Sequence, residues 1–98
     1  LDFDTTRVSD RGYKVKMITL DSLKLRRVDW LKVDVEGFEK EVIMGARSTL
    51  DVTDKAVIEI RKENRGFVDK VMQEHGFKEE REEETYRGIF NIMYAKRR

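Results

Sequence analysis

The sequence predicts a small α/β domain with a mostly parallel sheet that closes in an antiparallel hairpin. Segments with the two-residue period of strands alternate with segments of helical period, as in sheets joined by helical crossovers. Near the carboxyl end, two strand-like segments are separated only by Thr85–Gly88, which is a hairpin spacing. The length of 98 residues is enough for one domain or part of one.

The first part of the chain is predicted to hold a loop, a strand and a short helical turn. Leu1–Gly12 is polar without a clear period, so we interpret it as a loop. Tyr13–Leu20 alternates and carries β-branched residues, which favours a strand. Asp21 and Ser22 then resemble caps for a helical turn that runs through Leu25, and capping is favoured over a functional role for Asp21.

The middle of the chain is predicted to be strand, turn, helix, strand. Trp30–Asp34 is a short apolar strand, in which Trp30 is most simply a core residue. Val35–Gly37 is a turn, and Phe38–Leu50 has apolar residues four apart, which predicts a helix with one buried stripe. Lys55–Ile60 is a second strand of the buried type.

The last part is predicted to be a helix followed by the hairpin. Phe67–His75 has a helical apolar face, and Gly76 stands where a helix ends in a left-handed residue. Phe77–Glu84 is so highly charged that we place it at an edge of the sheet. Ile89–Lys96 is apolar enough to lie inside the sheet.

Composition excludes several functional classes. The 21 Lys and Arg against 20 Asp and Glu leave no uniform charge to attract nucleic acid or an anionic membrane. No apolar run approaches the roughly 20 residues that span a bilayer. Without cysteine there are no disulfides or thiolate metal sites, which fits a cytoplasmic location.

Four residues are candidates for a site at the carboxyl ends of two parallel strands, where open α/β sheets bind ligands. Asp34 and Glu36 are the candidate catalytic acids, although either carboxylate also suits the N-terminus of the following helix. Gly37 permits the tight turn, with a positive φ in either case, and Glu59 is a candidate for substrate binding at the end of the next strand. Asp34 and Glu59 alone are weak evidence for magnesium, so no metal is predicted.

Two further positions are weaker candidates. His75, the one histidine, stands at a predicted helix end, where its charge would favour the helix dipole rather than catalysis. Asn64–Gly66 is a possible part of a loop that contacts an acceptor, although no spacing requires this.

A composite motif carries a family resemblance. Thr19–Leu23 (TLDSL), Val28–Glu39 (VDWLKVDVEGFE) and Val42–Ala46 (VIMGA) are followed by Val57–Ile60 (VIEI). In this order and spacing they resemble the C-terminal half of FkbM-type methyltransferases. The resemblance covers almost the whole chain.

The resemblance implies part of a Rossmann-like class I methyltransferase sheet that uses S-adenosylmethionine. Trp30–Asp34 would be its fourth strand, Ala56–Ile60 its fifth and the hairpin its sixth and seventh, in the order 4-5-7-6. The family's cofactor turn is glycine-rich, whereas the six glycines here are isolated. The chain alone is therefore expected to be inactive, and its cofactor-binding residues are not predicted.

The resemblance also implies the reaction and its partners. Such enzymes would methylate an oxygen of a small molecule such as a sugar or natural product. The alternative is a shortened, non-catalytic interaction module. In both cases the cut edge of a parallel sheet predicts a homo-oligomer, in which Tyr13–Leu20 or Trp30–Asp34 pairs across a dimer axis.

Overall fold

The computed structural model describes residues 5–8 and 14–97, and over these residues it contains two sheets and a layer of helices. The elements in chain order are β1 (Thr5–Val8), β2 (Lys14–Met17), a 3₁₀ turn (Asp21–Leu23), β3 (Val28–Val33), α1 (Glu39–Met44), α2 (Arg47–Asp51), β4 (Thr53–Arg61), α3 (Lys62–Glu74), β5 (Phe77–Tyr86) and β6 (Ile89–Lys96).

The main sheet has four strands in the order β3-β4-β6-β5, which is the predicted order. β3 and β4 are parallel, whereas β6 is antiparallel to both of its neighbours. Because β6 inserts between β4 and β5, these two strands run in the same direction without pairing. The sheet is therefore mixed with a single parallel pair, and the expectation of a mostly parallel, Rossmann-like sheet is not confirmed.

The amino-terminal segment forms a second, two-stranded sheet. β1 pairs antiparallel with β2, so the prediction of a loop over Leu1–Gly12 is wrong at Thr5–Val8. The strand predicted over Tyr13–Leu20 covers only Lys14–Met17. Residues 1–4 and 9–13 lie outside the described residues.

The helix predicted over Phe38–Leu50 is broken in two at Gly45. α1 ends at Met44, and Gly45 and Ala46 form a turn before α2 begins. At this turn the Asp21 amide donates to the Gly45 carbonyl over 2.9 Å, and Thr19 packs against the glycine. A Cβ on Gly45 would lie only 2.8 Å from Thr19 Cγ2, so the residue before the break must be small. The apolar period continues through the break, which is why the sequence pattern hides it.

α3 begins five residues earlier than predicted. Arg61 is extended (φ −75°, ψ 145°) and the helix begins at Lys62. The sequence pattern missed the first turn because its residues are polar and not buried, so they add nothing to the apolar period. Asn64–Gly66 therefore lies within a helix, and its prediction as a loop is wrong. Gly76 has a φ of +85°, which confirms the left-handed end.

The hairpin is confirmed, with β5 at the edge of the main sheet and β6 inside it. After the buried Phe77, every residue of β5 is exposed, which fits an edge that repels other strands.

The three helices cover one face of the main sheet, and the core lies between them. Along β4, the buried Ala56, Ile58 and Ile60 alternate with more exposed residues on the other face. Trp30 points to that other face and is 56% exposed, so its prediction as a core residue is wrong. Its register partner Lys55 places its ammonium 5.3 Å from the ring centre, a cation–π contact at the surface. None of the described helices is long and apolar enough to cross a membrane.

A polar network fastens α3 to the hairpin. Arg65 pairs with Glu82 and, at 3.3 Å, with Glu79. Tyr94, buried in β6, donates its hydroxyl hydrogen bond to Asp69 of α3. Burial, together with this carboxylate, raises the pKa of Tyr94 far above the usual range of tyrosine.

Candidate functional site

The turn between β3 and α1 holds three of the four predicted site residues. Two consecutive residues have positive φ there, Glu36 at 46° and Gly37 at 102°. The glycine was expected to have this conformation, whereas a left-handed glutamate is uncommon and strained. Strain of this kind is typical of functional turns that their surroundings hold in place.

Asp34 directly follows β3 and is exposed. It makes no hydrogen bond or ion pair within the described part of the chain, and α1 has no side-chain cap. The capping role that the sequence left open for Asp34 is therefore not observed. The carboxylate is available to a ligand.

Asp34 lies at the rim of an apolar groove of about 560 Å³. The groove runs between the segment 18–20, the end of β3 and the exposed side of α1. Its walls are mainly aliphatic and aromatic, and its ionisable lining residues are Lys32, Asp34 and Glu41. The apolar lining side chains are Ile18, Leu20, Leu31, Val33, Val35, Phe38 and Val42. Apolar walls with few polar groups are typical of small-molecule sites.

Glu36 and Glu59 do not line this groove. Glu59 is half-buried on β4, in register with Asn91 of β6. The register Val33↔Ile58, continued by one step, brings Asp34 and Glu59 to neighbouring strand ends. The described residues contain no group of three or more side chains of the kind that holds a metal ion.

The next turn along the sheet edge, between β4 and α3, packs against Gly37. The Arg61 guanidinium lies 3.5 Å from the place where a Cβ on Gly37 would stand. Asn64 donates from Nδ2 to the Gly37 carbonyl over 3.2 Å. Glu39, the first residue of α1, is fully buried and accepts from the Arg61 amide over 2.6 Å. The β3–α1 turn, which carries Asp34 and Glu36, is therefore joined to the start of α3, whose N-cap stands two residues after Glu59.

The sequence did not reveal the groove or the role of Glu39. Phe38 was assigned to a buried stripe, yet it is 45% exposed at the groove. From the sequence alone, Glu39 is one of several acidic residues near a helix N-terminus, where the helix dipole favours negative charge. The position of Glu39 offered a signal. It stands four residues before the buried Ile43, and residues four apart lie on the same side of a helix.

Asp21 is a cap, as favoured, but it caps a helix distant in sequence. Its carboxylate accepts from the amides of Ser48 and Thr49, at 3.1 and 2.8 Å, and from the Thr49 hydroxyl at 2.9 Å. Partial burial raises the pKa of Asp21, but these hydrogen bonds outweigh burial and the pKa is lowered below 3.8.

His75 lies near the amino-terminal ends of β3 and β4, away from the candidate acids. Its Nδ1 is 2.8 Å from Asp51 Oδ1, at the end of α2. The imidazole thus makes a structural contact between two helix ends.

Comparison with known proteins gives one match. A family model described as the methyltransferase FkbM domain matches residues 3–79, which includes the β3–α1 turn and the groove. Neither the search of curated proteins nor the search of solved structures found a match.

Proposed function

Because the chain belongs to the FkbM methyltransferase family, we propose that it forms the acceptor side of an S-adenosylmethionine-dependent O-methyltransferase. The observation that carries the proposal is Asp34, an exposed carboxylate at an apolar groove that makes no hydrogen bond or ion pair within the described residues. A carboxylate in this setting is suited to bind the hydroxyl of a small, partly apolar acceptor.

In this proposal Asp34 accepts a hydrogen bond from the acceptor hydroxyl and takes its proton as the oxygen is methylated. The strained Glu36 and the left-handed Gly37 fix the position of the turn that carries it. Glu59, at the neighbouring strand end, contributes to acceptor binding. The acceptor is a small molecule with a free hydroxyl, such as a sugar or natural product, and the absence of cysteine fits a cytoplasmic reaction.

The described residues do not by themselves fit S-adenosylmethionine. A glycine-rich turn lets backbone approach such a cofactor, but neither glycine near the groove has an open backbone. Gly45 is covered by Thr19 and Gly37 by Arg61. We therefore assign no cofactor contact to these residues.

Asp34→Asn tests the proposed base. The assay measures transfer of radiolabelled methyl from S-adenosylmethionine to a panel of small hydroxyl compounds, with the protein made from the complete reading frame. The substitution keeps the shape and removes the proton acceptor, so kcat/KM should fall by about 100-fold or more. Glu74→Gln, at the exposed far end of α3, is the matched control and should have no effect.

Two results would contradict the proposal. One is an Asp34→Asn variant within about threefold of the wild type, which would exclude Asp34 as the base. The other is calorimetric binding of S-adenosylmethionine to the 98-residue chain with micromolar affinity. That result would contradict the assignment of the described residues to the acceptor side alone.

A second candidate function is an interaction module that self-associates through β3. Within the described residues β3 pairs only with β4, so its other edge has free backbone groups. Six of the seven large exposed apolar side chains among the described residues lie between positions 18 and 44, with Trp30 on β3 itself: Ile18, Leu23, Leu25, Trp30, Phe38 and Met44. A dimer in analytical ultracentrifugation, without methyl transfer to any acceptor, would favour this function. A strict monomer at high concentration would exclude it.

A further inference from the structure

A buried carboxylate without a cationic partner needs an explanation. Glu39 is fully buried, and its Oε2 has no hydrogen-bond partner. No lysine, arginine or histidine forms an ion pair with it within the described residues. Burying a charge in this way costs several kcal/mol unless other groups compensate it.

The compensation comes from the N-terminus of α3. Glu39 Oε1 accepts from the amide of Arg61, the residue that caps this 13-residue helix. The helix dipole places partial positive charge at the same point, which favours a carboxylate. The Arg61 guanidinium is not the partner, because it lies over Gly37 instead.

The contact replaces a standard helix cap. In a capping box, the third residue of a helix is a Glu or Gln that binds the amide of the cap residue. The third residue of α3 is Asn64, which instead donates to the carbonyl of Gly37. Instead, Glu39 of α1 accepts the hydrogen bond from the Arg61 amide. The β3–α1 turn and the α3 N-terminus thus exchange two hydrogen bonds.

We propose that Glu39 is a positioning residue for the acceptor site, and this inference rests on the proposed function. Glu39 is the first residue of α1, directly after the turn that carries Asp34 and Glu36. Its partner Arg61 stands two residues after Glu59. The Glu39–Arg61 hydrogen bond therefore sets the spacing between the candidate acids on the two strand ends.

Nuclear magnetic resonance on the 98-residue chain tests the contact directly. In the wild type, a scalar coupling across the hydrogen bond should join Arg61 15N to Glu39 13Cδ. Glu39→Leu should speed exchange of the Arg61 amide at least tenfold more than exchange of core amides, and should shift the amide resonances of Glu36 and Glu59. Glu39→Gln keeps an acceptor oxygen and should hold both readouts near the wild-type values.

Ile43→Val is the matched control on the same helix. It removes one methyl group from a fully buried side chain, so it should speed the exchange of all core amides together without singling out Arg61. If Glu39→Leu fails to fold, the coupling and the Glu39→Gln variant decide the question. No coupling, or a Glu39→Gln variant that loses Arg61 protection, would overturn the proposal.

A functional arm uses the methyl-transfer assay described above. Glu39→Leu should lower kcat/KM at least tenfold, and Glu39→Gln should stay within about threefold of the wild type. Intact spectra with unchanged transfer in Glu39→Leu would overturn the positioning role. If the wild type transfers no methyl group at all, the proposed function fails, while the resonance measurements still report whether Glu39 joins the turns.

Discussion

Asp21→Ala removes the contact that joins the 3₁₀ turn to α2. The carboxylate accepts three hydrogen bonds, from two amides at the start of α2 and from the Thr49 hydroxyl. Losing a helix cap of this type costs about 1 kcal/mol, and up to about 2 kcal/mol in proteins. A hydrogen bond to a charged group contributes roughly 1.5–3 kcal/mol. The hydrogen bond from the Thr49 hydroxyl adds only a fraction of this, because Asp21 is partly exposed. We therefore expect a loss of about 2 kcal/mol.

Urea unfolding followed by circular dichroism measures this loss. For a domain of this size the slope is about 2 kcal/mol per molar urea, so the midpoint should fall by about 1 M. Asp29→Ala is the control, because Asp29 pairs only with exposed Arg27 at the surface and should change stability by less than about 0.5 kcal/mol. An Asp21→Ala midpoint equal to that of the control would refute the capping argument.

The pH dependence gives an independent check. The folded-state pKa of Asp21 is lowered from 3.8, so its stabilising contribution is fully present above that pH and is lost as the pH falls through the lowered value. Asp21→Asn cannot titrate. The stability difference between wild type and Asp21→Asn should therefore shrink below about pH 4.

Two further substitutions test packing in the rest of the fold. Gly45→Ala places a methyl group 2.8 Å from Thr19 Cγ2 and should lower the free energy of unfolding by about 1–3 kcal/mol. Thr19→Ser removes that carbon and keeps the hydroxyl, so the double variant should regain part of the loss. Full stability of Gly45→Ala alone in urea would contradict this. Tyr94→Phe removes the hydrogen bond to Asp69 and should lower the free energy of unfolding by about 1–2 kcal/mol. In an alkaline spectrophotometric titration, the variant should lack the tyrosine that ionises at the highest pH, because burial raises the pKa of Tyr94. An unchanged titration curve would show that Tyr94 is not the protected group.

The parts of the fold that were predicted correctly are those that local patterns determine. β4 and β6 have apolar segments, the charged β5 is typical of an edge strand, and Gly76 ends its helix in the left-handed conformation that glycine permits. The break at Gly45 was missed because the apolar period continues through it, and Thr19, which packs against the glycine, lies 26 positions earlier in the chain. Trp30 was misplaced because the sequence shows that β3 is apolar but not which face the helices leave uncovered.

The positions of the candidate site residues in the fold follow from the sequence to the same extent, whereas their roles stay predictions. Asp34 follows from the rule that ligands bind at the carboxyl ends of parallel strands, and the strand that precedes it is visible in the sequence. The groove beside it requires the segment 18–20 to pack against α1, and no period or motif encodes that contact. Glu39 requires knowledge of where α3 begins, which the sequence placed five residues too late.

The carboxylates that stabilise this fold are at least partly buried, whereas the one available for chemistry is exposed. Asp21 and Glu39 both bind backbone amides at helix N-termini, where a charged oxygen is stabilised without a cation. Asp34 stands in the same kind of strand-to-helix connection but binds no amide within the described residues, and α1 has no side-chain cap. Its carboxylate therefore stays exposed at the groove. Exchanging Glu39 for an apolar residue should therefore disturb the Arg61 amide first and should reach Asp34, the proposed base, only through the β3–α1 turn.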